Sequence, residues 1–363
     1  MSESAILTLA YMLDIAIGDP KRLPHPVRGI GWAITKMENL LRRIIQNTDY
    51  RTQNIDNPPN PPLAKLCSST TRRVEGGEGG FEKLAGIFLV LIIVGSTYGL
   101  FFIINLLLTS HFSLLTFIFL VYLVSTTLAT HGLIKSAAAI IKTLKNNDTD
   151  NAREKLSHIV GRDTLTLDRD SILKATIESL AENASDGIIA PLFYFAIGGL
   201  PLAMTYKAIN TMDSMIGYRN EKYRNLGWAA ARLDDIANYI PARITGLLIA
   251  LSSAFVFCSL FTVHCSLKIM LRDGRKHPSP NSGVPEAAMA GALGICLGGP
   301  SSYGGIAVQK PSIGEERKNT EHRTQNTDIL YIEASEQAIT ITKVVSLLGF
   351  TAAAAFLYFR NSL

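Results

Sequence analysis

The sequence predicts an all-α fold: a polytopic integral membrane protein whose polar helices and loops form a site at one membrane face. The 363 residues have a mean hydropathy of +0.21, and only 18% of them are charged. Soluble domains average about 25% charged residues. A polar block, residues 178–241, lies between apolar segments. Charged groups near a bilayer are kept mainly where they face a cavity and have a function, so the block predicts the wall of a polar active site at a membrane surface.

Four apolar stretches are long enough for a transmembrane helix, which takes roughly 20 residues. They cover residues 84–109, 112–130, 244–263 and 338–359. Two shorter stretches, 5–17 and 187–204, are predicted as partial spans, re-entrant segments or buried helices. The chain 1–363 is expected to form a single integral membrane domain. Two polar stretches, 49–80 and 318–327, have the composition of disordered loop insertions.

Charge and cysteine content argue against several classes of protein. The net charge of +5 is mild, and the chain has no basic stripe interleaved with aromatic residues. We therefore expect contact with membrane lipid rather than nucleic acid. The four cysteines lack CxxC spacing, so neither a disulfide framework nor a zinc site is predicted. Lysine and arginine flank both ends of the 84–130 hairpin, which places those ends in the cytoplasm by the positive-inside rule.

Carboxylates recur at helical spacing in the segment ESLAENASDG. Glu178, Glu182 and Asp186 are four residues apart and share one helix face, where like charges repel unless a cation lies among them. Mg²⁺ commonly takes one or two carboxylates together with substrate phosphates and water. The spacing predicts a metal site, with Asn183 beside it as a substrate contact and with the helix ending at 185–187. A solvated acidic face is the alternative.

A second polar stripe follows in the segment YKAINTMDSMIG. Lys207, Asn210 and Ser214 share a helix face, with Asp213 at its edge. Because lysine binds phosphate as a point charge, the stripe predicts a phosphate site in which Lys207 and Asp213 are candidate catalytic groups. A hydrogen-bonded seam between two helices is the alternative.

Two turns supply further candidates for anion binding. Asp19, His25 and Arg28 lie in a proline-stiffened turn after the first apolar helix, and Arg162 and Asp163 follow a glycine. Arginine suits the recognition of phosphate and carboxylate groups. The alternatives are a helix-ending turn with an internal Asp–Arg pair in the first case and a helix cap in the second.

The remaining candidates flank the third predicted span. Side chains able to contact substrate or accept a proton lie on the helix before that span and in a Pro/Gly/Ser-rich loop after it. They are Arg232, Asp235 and Arg243 before the span, and His277, Ser279 and Asn281 after it. Asp235 and His277 are candidate catalytic groups, and the others are candidate substrate contacts. A plain ion pair on the helix, and a loop that only leads into a helix cap, are the alternatives.

Seven segments resemble the CobD/CbiB family of cobalamin biosynthesis, the adenosylcobinamide-phosphate synthases. They occur in order between about residues 10 and 314, and each is long and specific. The segments are GDPKRLPHPVRGIG, LSHIVGRDT, IESLAENASDGIIAP, YKAINTMDSMIGYRNEKY, ARLDDIANYIPARIT, KHPSPNSGVPEAAMAGALGICLGGP and YGGIAVQKPSIG. The final helix fits the family more loosely, and the stretches 49–80 and 318–327 look longer than the family needs. Both stretches lie outside the polar segments that hold the candidate residues.

The resemblance implies a multi-pass enzyme of the cell inner membrane that forms an amide bond. Its substrates would be adenosylcobyric acid, a corrinoid, and (R)-1-amino-2-propanol or its O-phosphate. The product would be adenosylcobinamide or its phosphate. ATP with Mg²⁺ would activate the carboxylate, with an acyl phosphate as the intermediate. Other cobalamin-biosynthesis enzymes are candidate partners.

The resemblance also suggests three roles for the candidate residues. The carboxylate face 178–186 would hold Mg²⁺ on the nucleotide or acyl phosphate. Lys207, Arg28 and Arg232 would neutralise phosphates or the developing oxyanion. The group that accepts a proton from the attacking amine would be Asp213, Asp235 or His277.

Two other classes of protein are the alternatives. A related membrane sensor or signalling protein without ligase activity would tolerate loss of the carboxylates. A transporter would show inverted repeats with broken helices in both halves, whereas only the stretch 187–204 looks broken.

Overall fold

The computed structural model describes residues 2–18, 24–56, 78–110, 113–218, 220–303, 305–316 and 327–362. Within these residues the chain forms thirteen α-helices, one π-helical turn and one antiparallel β-hairpin. The helices are α1 (Glu3–Ile17), α2 (Pro26–Asp56), α3 (Glu78–Ser110), α4 (Leu114–Ser125), α5 (Thr130–Lys145), α6 (Thr149–Ser157), α7 (Arg169–Ala184), α8 (Ala190–Ile216), α9 (Trp228–Ala237), α10 (Tyr239–Phe257), α11 (Leu260–Asp273), α12 (Gly283–Leu293) and α13 (Thr327–Ser362). The π-turn covers Ser185–Ile189, and the hairpin strands are β1 (Cys296–Tyr303) and β2 (Ile306–Gly314).

The predicted all-α, polytopic membrane fold is confirmed. Four described helical stretches are long and apolar enough to cross a membrane: Gly80–Ser110, Arg169–Ile216, Tyr239–Phe257 and Leu330–Arg360. The small hairpin β1–β2 was not predicted. The proposed loop insertions 49–80 and 318–327 fall largely outside the described residues, although α2 reaches Asp56 and α3 begins at Glu78.

The stretch formed by α7, the π-turn and α8 is the central element of the bundle. In its most apolar 18-residue window 72% of the residues are buried, against 28% for α3. On one side it packs with α5, α12 and α13, and on the other α8 packs with α2, α3 and α9. Polar groups on this element are therefore enclosed by neighbouring helices, whereas α3 presents most of its surface outward.

The structure divides two of the predicted spans. Within the predicted span 112–130, α4 ends at Ser125 and α5 begins at Thr130, and the two helices meet at a 43° bend. Thr126 and Thr127 bond back to the carbonyls of the preceding turn, and Asp14 accepts the N–H of Thr130 to begin the new helix. Residues 244–263 are divided at Cys258, which has a positive φ of 48°. The predicted partial span 187–204 covers the end of the π-turn and the first part of α8. The backbone of α8 leaves helical geometry at Gly198 and Gly199.

Glycine at position 86 permits a close approach between α3 and the segment before α9. A Cβ there would lie 2.1 Å from the carbonyl oxygen of Leu226, whereas a Cβ at Gly95 of the same helix meets nothing within 4 Å. We expect Gly86→Ala to destabilise the protein by about 1–3 kcal/mol through overpacking. Gly95→Ala should be neutral or stabilising, because alanine is the better helix former. Thermal unfolding in detergent measures both, and equal midpoints would contradict the predicted contact.

Candidate functional site

Two polar clusters lie along the central helical element. The hairpin-side cluster consists of Arg162, Glu178, Glu182, His277, Glu286 and Lys310. The α9-side cluster consists of Asp186, Lys207, Asn210, Asp213, Asp234 and Asn238. Asp186 joins them, because it interacts electrostatically with Glu182 in the first cluster and with Asp234, Lys207 and Asp213 in the second.

The hairpin-side cluster is built on Glu178, whose exposed fraction is only 3%. Its Oε2 accepts a hydrogen bond from Arg162, and its Oε1 accepts the backbone N–H of Gly298 at 2.9 Å. Burial by itself would lower the pKa of Arg162, but the ion pair with Glu178 raises it above its ordinary value. A buried ion pair is tolerated when further hydrogen bonds satisfy its remaining atoms. Glu178 therefore connects α7 to the hairpin.

His277 and Glu286 face each other in the same cluster. The backbone N–H of Ser279 donates to His277 Nδ1 at 3.1 Å, so the neutral imidazole carries its proton on Nε2, 4.0 Å from Glu286 Oε1. Burial lowers the pKa of His277, and the positive charge of Lys310 lowers it further. Burial raises the pKa of Glu286 well above its ordinary value, and Glu178 and Glu182 raise it further. Burial therefore disfavours the charged form of both groups, so Glu286 binds a proton more readily than an ordinary carboxylate does.

Lys310 reaches the cluster from strand β2. Burial by itself would lower its pKa, but the charge of Glu178 raises it. Glu182 completes the cluster and accepts a hydrogen bond from Ser282 Oγ at 2.9 Å. Three carboxylates thus face two cations, which accounts for the tendency of one carboxyl group to keep a proton.

The α9-side cluster is a hydrogen-bonded seam between α8 and α9. Asn210 donates to Asp186 Oδ2 at 3.3 Å, and Asn238 donates to Asp234 Oδ2 at 3.0 Å. Tyr206 donates to Asn238 Oδ1 at 2.8 Å. Burial and the nearby Asp213 raise the pKa of Asp234 to about 7. Asn210 thus takes part in a hydrogen-bonded seam, which was the alternative to a phosphate site. The seam also encloses several charged groups.

Several predicted substrate contacts fix the loop that carries His277. Arg243 donates to Asn281 Oδ1 at 2.6 Å, and Asn281 donates to the carbonyl of Asp235 at 2.7 Å. Ser279 Oγ accepts the N–H of Asn281 at 3.3 Å. These contacts join α9 and α10 to the loop between α11 and α12, so these side chains position His277.

Asp163 organises the β-hairpin. Its Oδ2 accepts Ser302 Oγ at 2.7 Å and the N–H of Gly305 at 2.8 Å, and its own N–H donates to the carbonyl of Ser302 at 2.8 Å. The predicted helix-capping alternative is not what Asp163 does. It instead holds the turn that follows β1.

The other candidates lie at the edges of the site or away from it. Asn183 donates to the carbonyl of Ser179 on its own helix at 2.9 Å, and Ser214 likewise donates to that of Asn210 at 2.9 Å. Arg232 has 66% of its side chain exposed and lies 3.9 Å from Asp235.

Two of the N-terminal candidates lie around the start of α2. His25 lines an apolar cavity between α1 and α4, and Arg28 is exposed in the first turn of α2. Asp19 lies outside the described residues.

The predicted end of the helix at 185–187 is wrong, because α7 continues into the π-turn Ser185–Ile189. The wider turn changes the direction in which later side chains point, because its backbone hydrogen bonds join residues five apart rather than four apart. Glu178 and Glu182 consequently face the hairpin-side cluster, while Asp186 hydrogen-bonds in the α9-side cluster. In the part of the chain that the structure describes, no group of three His, Cys, Asp or Glu residues is placed to hold a metal ion. The metal-binding role of the three carboxylates stays a prediction.

Sequence reasoning did not select Glu286, Lys310 or Asp234. Glu286 lies in the first turn of α12, and only 4% of it is exposed. A glutamate directly before the small-residue run AAMAGALGI was the available signal, because a tightly packed helix start leaves a carboxylate little solvent. Lys310 could be found only by knowing that the glycine-rich segments 296–314 form a hairpin.

Comparisons with known proteins identify the family. The family described as CobD/Cbib protein matches residues 7–330. The chain belongs to the CobD/CbiB family. It is 41% identical over 335 residues to the cobalamin biosynthesis protein CobD of Clostridium tetani, covering 92% of this chain and 95% of that protein. It is 40% identical over 311 residues to the cobalamin biosynthesis protein CbiB of Salmonella arizonae, covering 86% and 87%. No solved structure matches the chain.

Asp273 fixes the two ends of the segment that carries the CobD/CbiB loop and hairpin. It accepts two hydrogen bonds from Arg272 at 2.8 Å and the N–H of Gly314 at 2.9 Å, and it lies 2.7 Å from Lys276 Nζ. The Arg272 contact, with help from Lys276, holds the pKa of Asp273 below its ordinary range.

We expect Asp273→Asn to lower the free energy of unfolding by about 1–3 kcal/mol at pH 7. Because the pKa of the folded state is depressed, this stability is present above the unfolded pKa of about 3.9 and is lost as the pH falls toward the folded value. The difference in the free energy of unfolding between Asp273→Asn and the wild type should therefore become smaller as the pH is lowered from 5 to 3. Asp150→Asn is the matched control, because that side chain is 94% exposed in its ion pair. If the stability difference between Asp273→Asn and the wild type did not change with pH, the predicted link between the pKa of Asp273 and stability would be contradicted.

Proposed function

We propose that this CobD/CbiB protein forms the amide bond between a propionate carboxylate of adenosylcobyric acid and (R)-1-amino-2-propanol or its O-phosphate, in the cell inner membrane. The observation that carries the proposal is the buried hairpin-side cluster, in which cations, carboxyl groups and an imidazole converge at the central helical element. Its residues come from segments shared with proteins named for cobalamin biosynthesis. Amide formation from an acid and an amine needs charge stabilisation and proton transfer, and this cluster contains groups suited to both.

Arg162 and Lys310 suit the stabilisation of negative charge on the reacting carbonyl. Both are cationic and both lie in a largely buried setting, where preorganised charge contributes most to catalysis. In the amide-forming step the amine nitrogen bonds to the activated carbonyl carbon, and the bond from that carbon to the phosphate oxygen breaks. The phosphate leaves with the electron pair, and the amine loses one proton.

Glu286 is the group that we assign as the acceptor of that proton. Its raised pKa lies closer to that of an amine than the pKa of an ordinary carboxylate does, which favours proton transfer. His277 Nε2 lies 4.0 Å from Glu286 Oε1, so the imidazole lies beside the carboxyl group and restricts its orientation. The earlier candidates stay predictions: Asp213 lies in the α9-side cluster, and Asp235 lies on α9.

The residues on the described part of the chain suit Mg²⁺ only if the ion is bound to the phosphates of ATP. Glu182 has one oxygen bonded to Ser282, and Glu178 has both oxygens engaged. Mg²⁺ usually needs only one or two protein carboxylates beside phosphates and water. Glu182, with Asp186 next along the helix, would hold the ion, which would supply charge neutralisation on the phosphates.

The direct test uses purified protein in nanodiscs with adenosylcobyric acid, ATP, Mg²⁺ and either amine. We expect a corrinoid product whose mass has increased by the amine minus water, and its formation should require ATP. Absence of product with both amines, under conditions in which a related CobD/CbiB protein is active, would overturn the proposal.

Replacing the proton acceptor should separate chemistry from folding. Glu286→Gln preserves shape but cannot accept the proton, so we expect turnover to fall by about 100- to 10,000-fold. In the wild type, kcat/KM should rise with pH through the raised pKa of Glu286, because only the ionised carboxylate accepts a proton. Glu336→Gln is the matched control, since Glu336 is half-exposed in an ion pair with Lys145. Normal turnover in Glu286→Gln would exclude this assignment.

The predicted metal and phosphate groups have their own test. Glu182→Ala and Lys207→Ala should each abolish turnover while the protein remains in the membrane, because neither helix depends on these side chains for its apolar packing. Turnover and membrane content are measured in the same preparations. Near-normal activity in both variants would contradict the roles given to these residues.

A further inference from the structure

A small polar cavity lies between the start of α7 and the β-hairpin, directly behind Arg162. Its volume is about 170 Å³, and about 10–15 Å³ of such space holds one water molecule. The cavity therefore has room for a group of several heavy atoms. It shares Arg162 and Gly298 with the contact around Glu178, and its other lining residues lie outside the two polar clusters.

The lining of this cavity suits an anion. Arg162 and Lys174 contribute two cationic side chains, and Ser171 and Ser312 contribute hydroxyl groups. None of the residues that line it is an aspartate or a glutamate. An anion entering the cavity would thus meet Lys174 and two hydroxyl groups, with Arg162 already paired to Glu178 at the inner wall.

The backbone of the hairpin adds to this chemistry. Gly298 and Gly299 line the cavity and have successive positive φ angles of 83° and 99°. A Cβ on Gly298 would lie 2.2 Å from the carbonyl oxygen of Pro311, so this position needs glycine. A Cβ on Gly299 would meet nothing within 4 Å and would only reduce the open space of the cavity. Glycine backbones without side chains let a ligand approach closely.

Lys174 is held in place without an ion pair to a lining residue. Its ammonium lies 4.7 Å from the ring centroid of Tyr331, whose hydroxyl donates to the carbonyl of Cys296 on strand β1. An aromatic face orients a cation but leaves its N–H groups able to donate elsewhere. Ser171 lies in the first turn of α7, where the helix dipole also favours negative charge.

We propose that this cavity binds a phosphate group, with Lys174, Ser171, Ser312 and the Gly299 backbone as its recognition elements and Arg162 at its inner wall. The inference rests on the proposed function only for the source of the phosphate. The shared chemistry is a phosphomonoester or the end of a polyphosphate chain. Under the proposed function the group belongs either to the phosphorylated amine or to the nucleotide.

The first test measures binding directly and does not depend on activity. Full-length protein in nanodiscs is titrated with inorganic phosphate and with pyrophosphate by calorimetry. Lys174→Met keeps the stem of the side chain and removes the charge, so we expect affinity to fall about 10- to 100-fold, the cost of losing a charge-assisted hydrogen bond. Lys174→Arg should restore most of the affinity, and Lys142→Met, an exposed lysine on α5, should have no effect. Equal affinity of wild type and Lys174→Met would overturn the proposal.

The second test identifies the source of the phosphate. If the cavity holds the phosphate of the amine, Lys174→Met raises KM for aminopropanol phosphate about 10- to 100-fold and leaves KM for aminopropanol unchanged. If it holds the nucleotide, KM for ATP rises with either amine. Either pattern supports the cavity as a phosphate site, whereas a lower kcat with all three KM values unchanged contradicts it. A wild type that makes no amide with either amine contradicts the proposed function, and the calorimetric result then still decides the question of the cavity.

Discussion

The buried contact between Glu178 and its two partners is the interaction on which the site depends. Arg162 approaches from the segment before α7, and the N–H of Gly298 comes from the hairpin, so one carboxylate joins three separate parts of the chain. Removing one partner of a buried pair leaves an uncompensated charge, which costs about 3–5 kcal/mol. This contact therefore acts with those of Asp163 and Asp273 to fix the positions of the hairpin, of Lys310 and of the cavity behind Arg162.

Much of the architecture could be predicted from the sequence because apolar length and charge content are strong signals. The stretch 84–109 lies within a single helix, α3, since it contains no residue that would end or bend it. The divisions near Thr126 and Cys258 could not be predicted, because they depend on hydroxyl back-bonds, on the cap from Asp14 and on one left-handed backbone conformation. These are tertiary or local backbone effects without a distinct apolar pattern.

The candidate site was predicted in part, for reasons that differ between residues. Glu178 and Glu182 were selected because helical spacing brings carboxylates onto one face, and both lie in the hairpin-side cluster. Asp186 was assigned to the same face on the assumption of a regular helix, whereas the π-turn gives it partners on the other side. Lys310 and Glu286 depend on how the C-terminal segments fold back on α7, and a single sequence contains no direct signal of that return.

The π-turn gives the central element two faces that serve different neighbours. Before it, side chains of α7 meet the hairpin and α12; after it, side chains of α8 meet α9. The hydroxyl oxygen of Tyr206, which donates to Asn238, also lies 3.3 Å from the carbonyl oxygen of Asp186 in the widened turn. Such turns recur at functional sites because they reorient side chains without ending the helix.

The order in which the partners of Glu178 occur along the chain has a consequence for biosynthesis. Arg162 precedes Glu178 by 16 residues, whereas Gly298 follows it by 120. An unpaired carboxylate is costly in an apolar environment, and the ribosome produces the hairpin only long after α7 has emerged. Arg162 is already available at that time, so the nascent α7 can enter the membrane with its charge neutralised by a preceding residue. The N–H of Gly298 becomes available only after the hairpin has been made, so the contacts of Glu178 cannot be complete before that point.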